Sequence, residues 1–336
     1  MLFDFSAGQY EFRDVVSAAL ARHASPSALR DVWERSATGV TDGWTQIAEL
    51  GVFGMVISED YEGLGSDEID LALPFEQVGI HAVPGPIVET ALVAARVVGR
   101  YGRDEVRAAW LPSIATGQAA FAVAAHHDAL VAHAAEAHAV LAVRDDELHL
   151  VPHDSVIANP VESMDPTLRL ARCEFRFDDS TVLDATGAAV EELRAWGAVG
   201  TASVLNGLSQ RMLDLTRDYV LQREQFGRAI GSFQAIKHRL ADVVVAIEAA
   251  RGLAWYAHYA LARLPEEAAT ASALAKASAG RAAATASAAA LQLHGGIGFS
   301  WEHDLHLWMQ RAKALETQYG TTTDHRDTLA SHVLGH

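Results

Sequence analysis

The residues of this chain best suited to chemistry lie where two helical runs end. One is Gln222-Arg223-Glu224-Gln225-Phe226-Gly227-Arg228, and the other is Gln292-Leu293-His294-Gly295-Gly296. A pyrophosphate group needs a fixed cation and backbone donors that can come close, and Arg223 with the Gly295-Gly296 turn supplies both. Taken singly, each feature has a plainer reading. An arginine in the last turn of a helix complements the helix dipole, and a glycine pair after a helix is an ordinary C-cap. Phe226 alone would be a core residue, and Gln234 alone a surface one. Their joint order and spacing is what argues for a ligand. The sixteen histidines are scattered. The adjacent pair His126 and His127 would point opposite ways on an extended chain, so no metal site is expected. Cys173 is the single cysteine, so it cannot close an internal disulfide, and it sits in an apolar alternating run as a small core residue.

The elements that must position these residues follow from periodicity. Over 1–118 the pattern is helical, with apolar residues at three-and-four spacing in Phe12–Ala21 and Asp70–Val78. It is broken by the glycine-rich, acidic stretch Glu59–Gly65 and by Val83-Pro84-Gly85-Pro86. Over 119–180 the pattern changes to short apolar or alternating runs, Ala139–Val143, Glu147–Val151 and Leu168–Phe177, with a hairpin turn at Arg144-Asp145-Asp146. This predicts a small antiparallel sheet. From 188 to 336 the chain returns to long amphipathic helices, expected at Val190–Gln222, Ser232–Arg263, Glu266–Leu293 and Asp304–Thr317, with a short fifth at Asp327–His332. Alanine-rich faces permit close helix approach and suit a four-helix bundle that also oligomerises. The fold class is therefore mainly α: an N-terminal helical domain, a small middle antiparallel β domain and a C-terminal four-helix bundle.

Composition excludes several classes. Acidic residues outnumber basic ones 43 to 26 in 336 residues, and no basic run interleaved with aromatics is present, so nucleic acid is not an expected partner. The apolar stretches are interrupted by polar residues, so no membrane span is expected. The start Met-Leu-Phe-Asp-Phe has neither a basic nor an apolar leader region, and together with the lone cysteine this leads to an expected cytoplasmic location.

The stretch Gln222–Ile230, continued by Ser232-Phe233-Gln234-Ala235-Ile236-Lys237-His238-Arg239, resembles a signature of the acyl-CoA dehydrogenase family. So does Leu291-Gln292-Leu293-His294-Gly295-Gly296-Ile297-Gly298-Phe299, and more weakly the Glu59–Gly65 loop with Leu111-Pro112 and Gly117. The three matches stand in family order over nearly the whole chain. The resemblance implies FAD as cofactor, an acyl-CoA thioester as substrate and an electron-transfer flavoprotein as acceptor. It also implies that Arg223, Phe226, Gln292, Gly295 and Gly296 contact the FAD of a neighbouring subunit, with Gln234 near the adenine.

The resemblance fails where the reaction needs it most. The family abstracts the proton α to the thioester with a glutamate while the flavin takes a hydride from the β carbon. Its commoner base lies in a Tyr-Glu-Gly-Thr motif, matched here by Gln318-Tyr319-Gly320-Thr321, so Tyr319 stands where the carboxylate should. Its rarer base maps near Gly197. The family's Thr-Glu-Pro-x-x-Gly-Ser-Asp stretch corresponds to Val123-Ala124-Ala125-His126-His127-Asp128, without its glycine and hydroxyl donors. No catalytic residue is therefore expected in this chain. The pattern implies the non-catalytic member of a heteromer with two of each chain, resembling actinobacterial enzymes that act on steroid side-chain CoA thioesters, in which a sister subunit supplies the base. The alternatives are a self-sufficient homo-oligomer using Glu316 or Glu192 as a displaced base, and a flavin-free scaffold.

Overall fold

Helices begin in this chain where side chains can satisfy their free amides. In the computed structural model, which describes residues 4–35, 41–125 and 130–335, Ser6 opens helix α1 (Ala7–His23) with a capping box: its hydroxyl accepts the Gln9 amide while the Gln9 side chain accepts the Ser6 amide. Helices α2 (Pro26–Arg35) and α3 (Asp42–Glu49) follow, and then α4 (Ala72–Ile80). Helix α4 is buried on nearly every side, so its sequence carries no polar stripe. A π-helical segment at Glu89–Ala94 runs into α5 (Ala95–Tyr101), and α6 (Asp104–Ala115) completes the N-terminal helices.

The antiparallel sheet expected next is two sheets, and one of them is mixed. Strands β1 (Phe121–Ala124), β3 (Ala139–Arg144), β4 (Glu147–Pro152) and β7 (Val182–Asp184) form the first, in the order β1-β3-β4-β7. Strand β1 pairs with β3 in parallel. The reason is topological: β2 (Leu130–Ala132) leaves to join β6 (Leu170–Phe175) and β5 (Val156–Pro160) in the second sheet, so the chain re-enters the first sheet running the same way. The hairpin at 144–147 is as expected, with Asp145 and Asp146 both at positive φ, 50° and 65°, as a two-residue turn matched to strand twist requires. The sheets enclose a small core that includes Val131, Val140, Val151 and Cys173, where burial raises the thiol to about 11. The other face of the first sheet, through Phe121, Leu141 and Leu148, joins the helical core.

The C-terminal helices are α7 (Ala188–Gln222), α8 (Gln234–Arg263), α9 (Ala268–His294), α10 (Leu305–Glu316) and α11 (Thr322–Leu334). The fifth helix is longer than its apolar pattern suggested because Thr321 and Asp324 cap it reciprocally. Glycine sets the closest approach between domains. A Cβ on Gly79 of α4 would lie 2.0 Å from the Val204 carbonyl, and one on Gly207 of α7 would lie 2.0 Å from that of Glu76. At this crossing Glu76 accepts from Arg251 and from the Trp255 indole at 3.1 and 2.9 Å. Buried Arg311 of α10 ties the bundle to the sheets through Asp165 and Thr167, and to the Val83 carbonyl at 3.1 Å. No helix among the described residues is long and apolar enough to cross a membrane.

Candidate functional site

Helices α7 and α9 end at the same end of the bundle, and this brings the two chemistry-bearing segments together. The Tyr219 ring stacks on His294 with centroids 4.5 Å apart, and its hydroxyl reaches the His294 carbonyl at 3.5 Å. Arg223 follows Tyr219 by one turn and Gly295 follows His294 directly. After Arg223 the chain makes a minimal hairpin, β8 (Glu224–Gln225) with β9 (Arg228–Ala229), whose turn residues Phe226 and Gly227 have φ of 55° and 77°. This turn pushes Phe226 outward until its surface is 92% exposed. Gln234 opens α8 beside the hairpin, and Gln292 sits on the outer face of α9; both are exposed, as is Arg223. Gly295 adopts φ 60°, ψ −138°, a conformation confined in practice to glycine. A Cβ on Gly295 or Gly296 would meet nothing within 4 Å, so the space around this turn is open. The six residues singled out from the sequence thus share one exposed end of the bundle.

The second candidate region lies inside the chain. Tyr319, at φ 55°, is buried to 7% exposure, and its ring lies against Gly197 so closely that a Cβ there would fall 2.2 Å from Cε1. The two places where the resemblance puts a base are therefore neighbours, and one phenol fills both. The Tyr319 hydroxyl donates to Glu89 Oε1 at 3.2 Å. Burial, then the adjacent Glu89, holds the phenol well above its ordinary range, and burial likewise raises the Glu89 carboxyl. The turn bearing Tyr319 is fixed from behind. Lys276 Nζ donates to the Glu316 and Gly320 carbonyls, each at 2.8 Å, and His325 donates to the Tyr319 carbonyl at 2.9 Å. Burial lowers Lys276 to about 8. Glu89 carried no signal in the sequence beyond being an acid in a mostly apolar run, Ile87–Leu92, and only the fold reveals its partner.

The two displaced-base candidates are occupied. Glu316 accepts the Thr322 amide at 2.9 Å and pairs with Lys313 at 3.2 Å. Burial raises its carboxyl, but these bonds outweigh burial and hold it below the usual range. Glu192 accepts the Tyr101 hydroxyl at 2.9 Å and pairs with Arg100 at 3.0 Å, joining α5 to α7. Beside Tyr319 opens a cavity of about 470 Å³ between β1, the second sheet and α10, with Val123, Ala124 and Ala125 along one wall. Those side chains are alkyl and offer no donor. His126, His127 and Asp128 lie outside the described residues.

Comparison with known proteins places these features. Residues 6–118 match the model of the acyl-CoA dehydrogenase N-terminal domain, and residues 188–334 match that of the C-terminal domain. The acyl-CoA dehydrogenase IpdE2 of Mycobacterium tuberculosis is 35% identical over 306 residues, 89% of each chain. Among solved structures, the ChsE4-ChsE5 complex of the same organism superposes with a TM-score of 0.90 at 20% identity over the full length of both chains. The steroid acyl-CoA dehydrogenase Tcur3481-Tcur3483 does so at 0.86 and 25% identity over 98% of each. With both terminal domains matched and a relative of this identity covering most of its length, the chain belongs to the acyl-CoA dehydrogenase family.

Proposed function

We propose that this chain is one of two unlike subunits of an FAD-dependent acyl-CoA dehydrogenase, donating part of a flavin site whose catalytic carboxylate belongs to its sister. The observation that carries the reading is Tyr319: it fills the position of one base and packs on Gly197, the position of the other, while Glu316 and Glu192 are bonded elsewhere. A phenol held above its ordinary range is no base at neutral pH. The exposed bundle end, in contrast, fits a dinucleotide, because Arg223 can pair with pyrophosphate oxygens and the Gly295-Gly296 turn leaves room for close backbone approach. Phe226, Gln234 and Gln292 flank it. FAD, when bound, accepts the hydride of α,β-desaturation; this chain binds, orients and shields its part of the cofactor.

Two of the solved relatives are two-chain complexes, and one is a steroid dehydrogenase. We infer the same arrangement here, two of each chain, with steroid CoA thioesters as substrate class, an electron-transfer flavoprotein as acceptor and the cytoplasm as location. The units 1–118, 119–180 and 188–336 divide the work, the last carrying flavin contact and assembly.

The test is Arg223→Ala in the complex co-expressed with the sister chain. Losing a charge-assisted contact to pyrophosphate lowers flavin affinity about 10- to 100-fold, read as flavin absorbance per protein, with one flavin per pair of chains in the parent. Unchanged occupancy would point to a scaffold, and substrate-dependent bleaching by this chain purified alone would sink the heteromer.

A further inference from the structure

We propose that Arg30, on helix α2 of the N-terminal unit, is a positioning residue for the flavin-facing turn: it grips the far end of segment 295–304 and so fixes where the Gly295 and Gly296 backbone stands. The inference rests on that turn meeting flavin, and it brings in a unit of the chain to which none of the six contact residues belongs.

Residues 295–304 link α9 to α10 with little burial to anchor them. Gly298 is buried, whereas Ile297, Phe299 and Trp301 are 42%, 75% and 63% exposed. A segment that buries so little apolar surface opens at low cost. Its near end is held by rings. His294, the last residue of α9, meets the rings of Tyr219 and His303 at 4.5 and 4.6 Å, and its Nδ1 donates to the Ala290 carbonyl at 2.8 Å.

The far end is held by Arg30. Its Nε and Nη2 lie 2.8 and 2.7 Å from Asp304 Oδ1, and its Nη1 donates to the Trp301 carbonyl at 2.6 Å. One guanidinium thus closes on the residue just before α10 and on the backbone three residues earlier, which the fixed fork of arginine suits. Trp33, one turn along α2, adds edge-to-face contacts with Trp301 and His306. Between the two ends the chain has little slack. Gly295–Phe299 is a 3₁₀ run, the Ser300 and His303 amides donate to the Ile297 and Ser300 carbonyls at 3.0 and 3.2 Å, and the Ser300 hydroxyl accepts the Glu302 amide at 3.1 Å. Consecutive turns of this kind move together, so a shift at Trp301 or Asp304 is carried to Gly295 and Gly296. The Arg30 and Asp304 side chains are 28% and 36% exposed, so their pair adds little to overall stability and its effect is local.

Two readouts test this. Hydrogen exchange by mass spectrometry on the full-length chain should show the amides of 295–304 exchanging about fivefold faster in Arg30→Ala than in the parent, with the middle of α7 and α9 unchanged. In the complex co-expressed with the sister chain, the flavin dissociation constant from an absorbance titration rises about fivefold, while kcat at saturating flavin stays within about twofold. Asp304→Asn acts alike, and in the double variant the two effects do not add. Arg30→Lys, which keeps the charge without the fork, recovers part of both. Arg263→Ala removes another ion pair between the N-terminal unit and the bundle, that with Asp67, and leaves both readouts as in the parent. Unaltered exchange in Arg30→Ala overturns the proposal, and so does faster exchange with unaltered flavin affinity. An equal effect of Arg263→Ala overturns it as well, since the loss would then be one of general stability. A parent complex that holds no flavin overturns the reading on which the inference rests, and faster exchange in Arg30→Ala shows that the fault lies there.

Discussion

A glycine and a tyrosine far apart in sequence, Gly197 and Tyr319, meet so that one phenol fills both places where the resemblance puts a base. The ring occupies the volume that any side chain at 197 would need, since a Cβ there meets Cε1, Cδ1 and Cζ within 2.5 Å. Either residue alone reads as ordinary; together they form a lock-and-space pair. Gly197→Ala is expected to destabilise the chain by about 1–3 kcal/mol through overpacking. In Tyr319→Ala, where the ring is gone, the same substitution should be close to neutral. A urea-denaturation cycle over the two sites would then give a coupling energy of about 1 kcal/mol or more, and additive effects would show that the ring moves aside freely. The sequence revealed that residue 319 is not a carboxylate. It did not reveal Glu89, because a buried acid is identified by what surrounds it.

At the scale of elements, the long helices were legible because an amphipathic period repeats over many turns, and their observed limits stay within a few residues of those read from the pattern. Helix α4 was legible only roughly, expected at Asp70–Val78 and found at Ala72–Ile80. Enclosure by α1, α7 and α8 removes the polar stripe that would mark its ends. The parallel pairing of β1 was not legible at all, since strand direction depends on which sheet takes β2. The α4–α7 crossing makes the sharpest prediction at this scale. Gly79→Ala sets a methyl 2.0 Å from a backbone carbonyl that cannot rotate away, so the helices must part. A loss of about 3 kcal/mol or more is expected, read as a lower urea midpoint. An unchanged midpoint would mean the crossing is looser than this geometry.

Over the whole molecule, acid sensitivity follows from histidines that the fold keeps neutral. Burial lowers His258 and His81 to about 4 and His133 to about 3. His258, wholly buried, has its Nε2 against Ser203 at 3.0 Å. These are bases whose folded pKa lies below the unfolded value near 6.5, so the unfolded chain takes up the proton first. Their contribution is fully present above about pH 6.5 and is lost as pH falls toward 4. For His258 the limit is about 3 kcal/mol, from 1.36 kcal/mol per unit. Urea midpoints should fall across that window, and His258→Leu should reduce proton uptake on unfolding by about one. An identical pH slope in the variant would show that His258 is protonated in the native state.

The sequence by itself determined the helical class, the order of the motifs, the exposed Arg223 and Gly295-Gly296 pair, and the absence of a carboxylate at 319, because each depends on residue type and local spacing. Only the tertiary structure decided that Tyr319 meets Gly197 and Glu89, that Glu316 and Glu192 are engaged elsewhere, and that a cavity opens beside them. Tyr319 meets Glu89 across 230 residues and Glu192 meets Tyr101 across 91, and no local pattern encodes which distant side chain fills a given space; Glu316 is held by its near neighbours Thr322 and Lys313, through a turn whose path the fold sets.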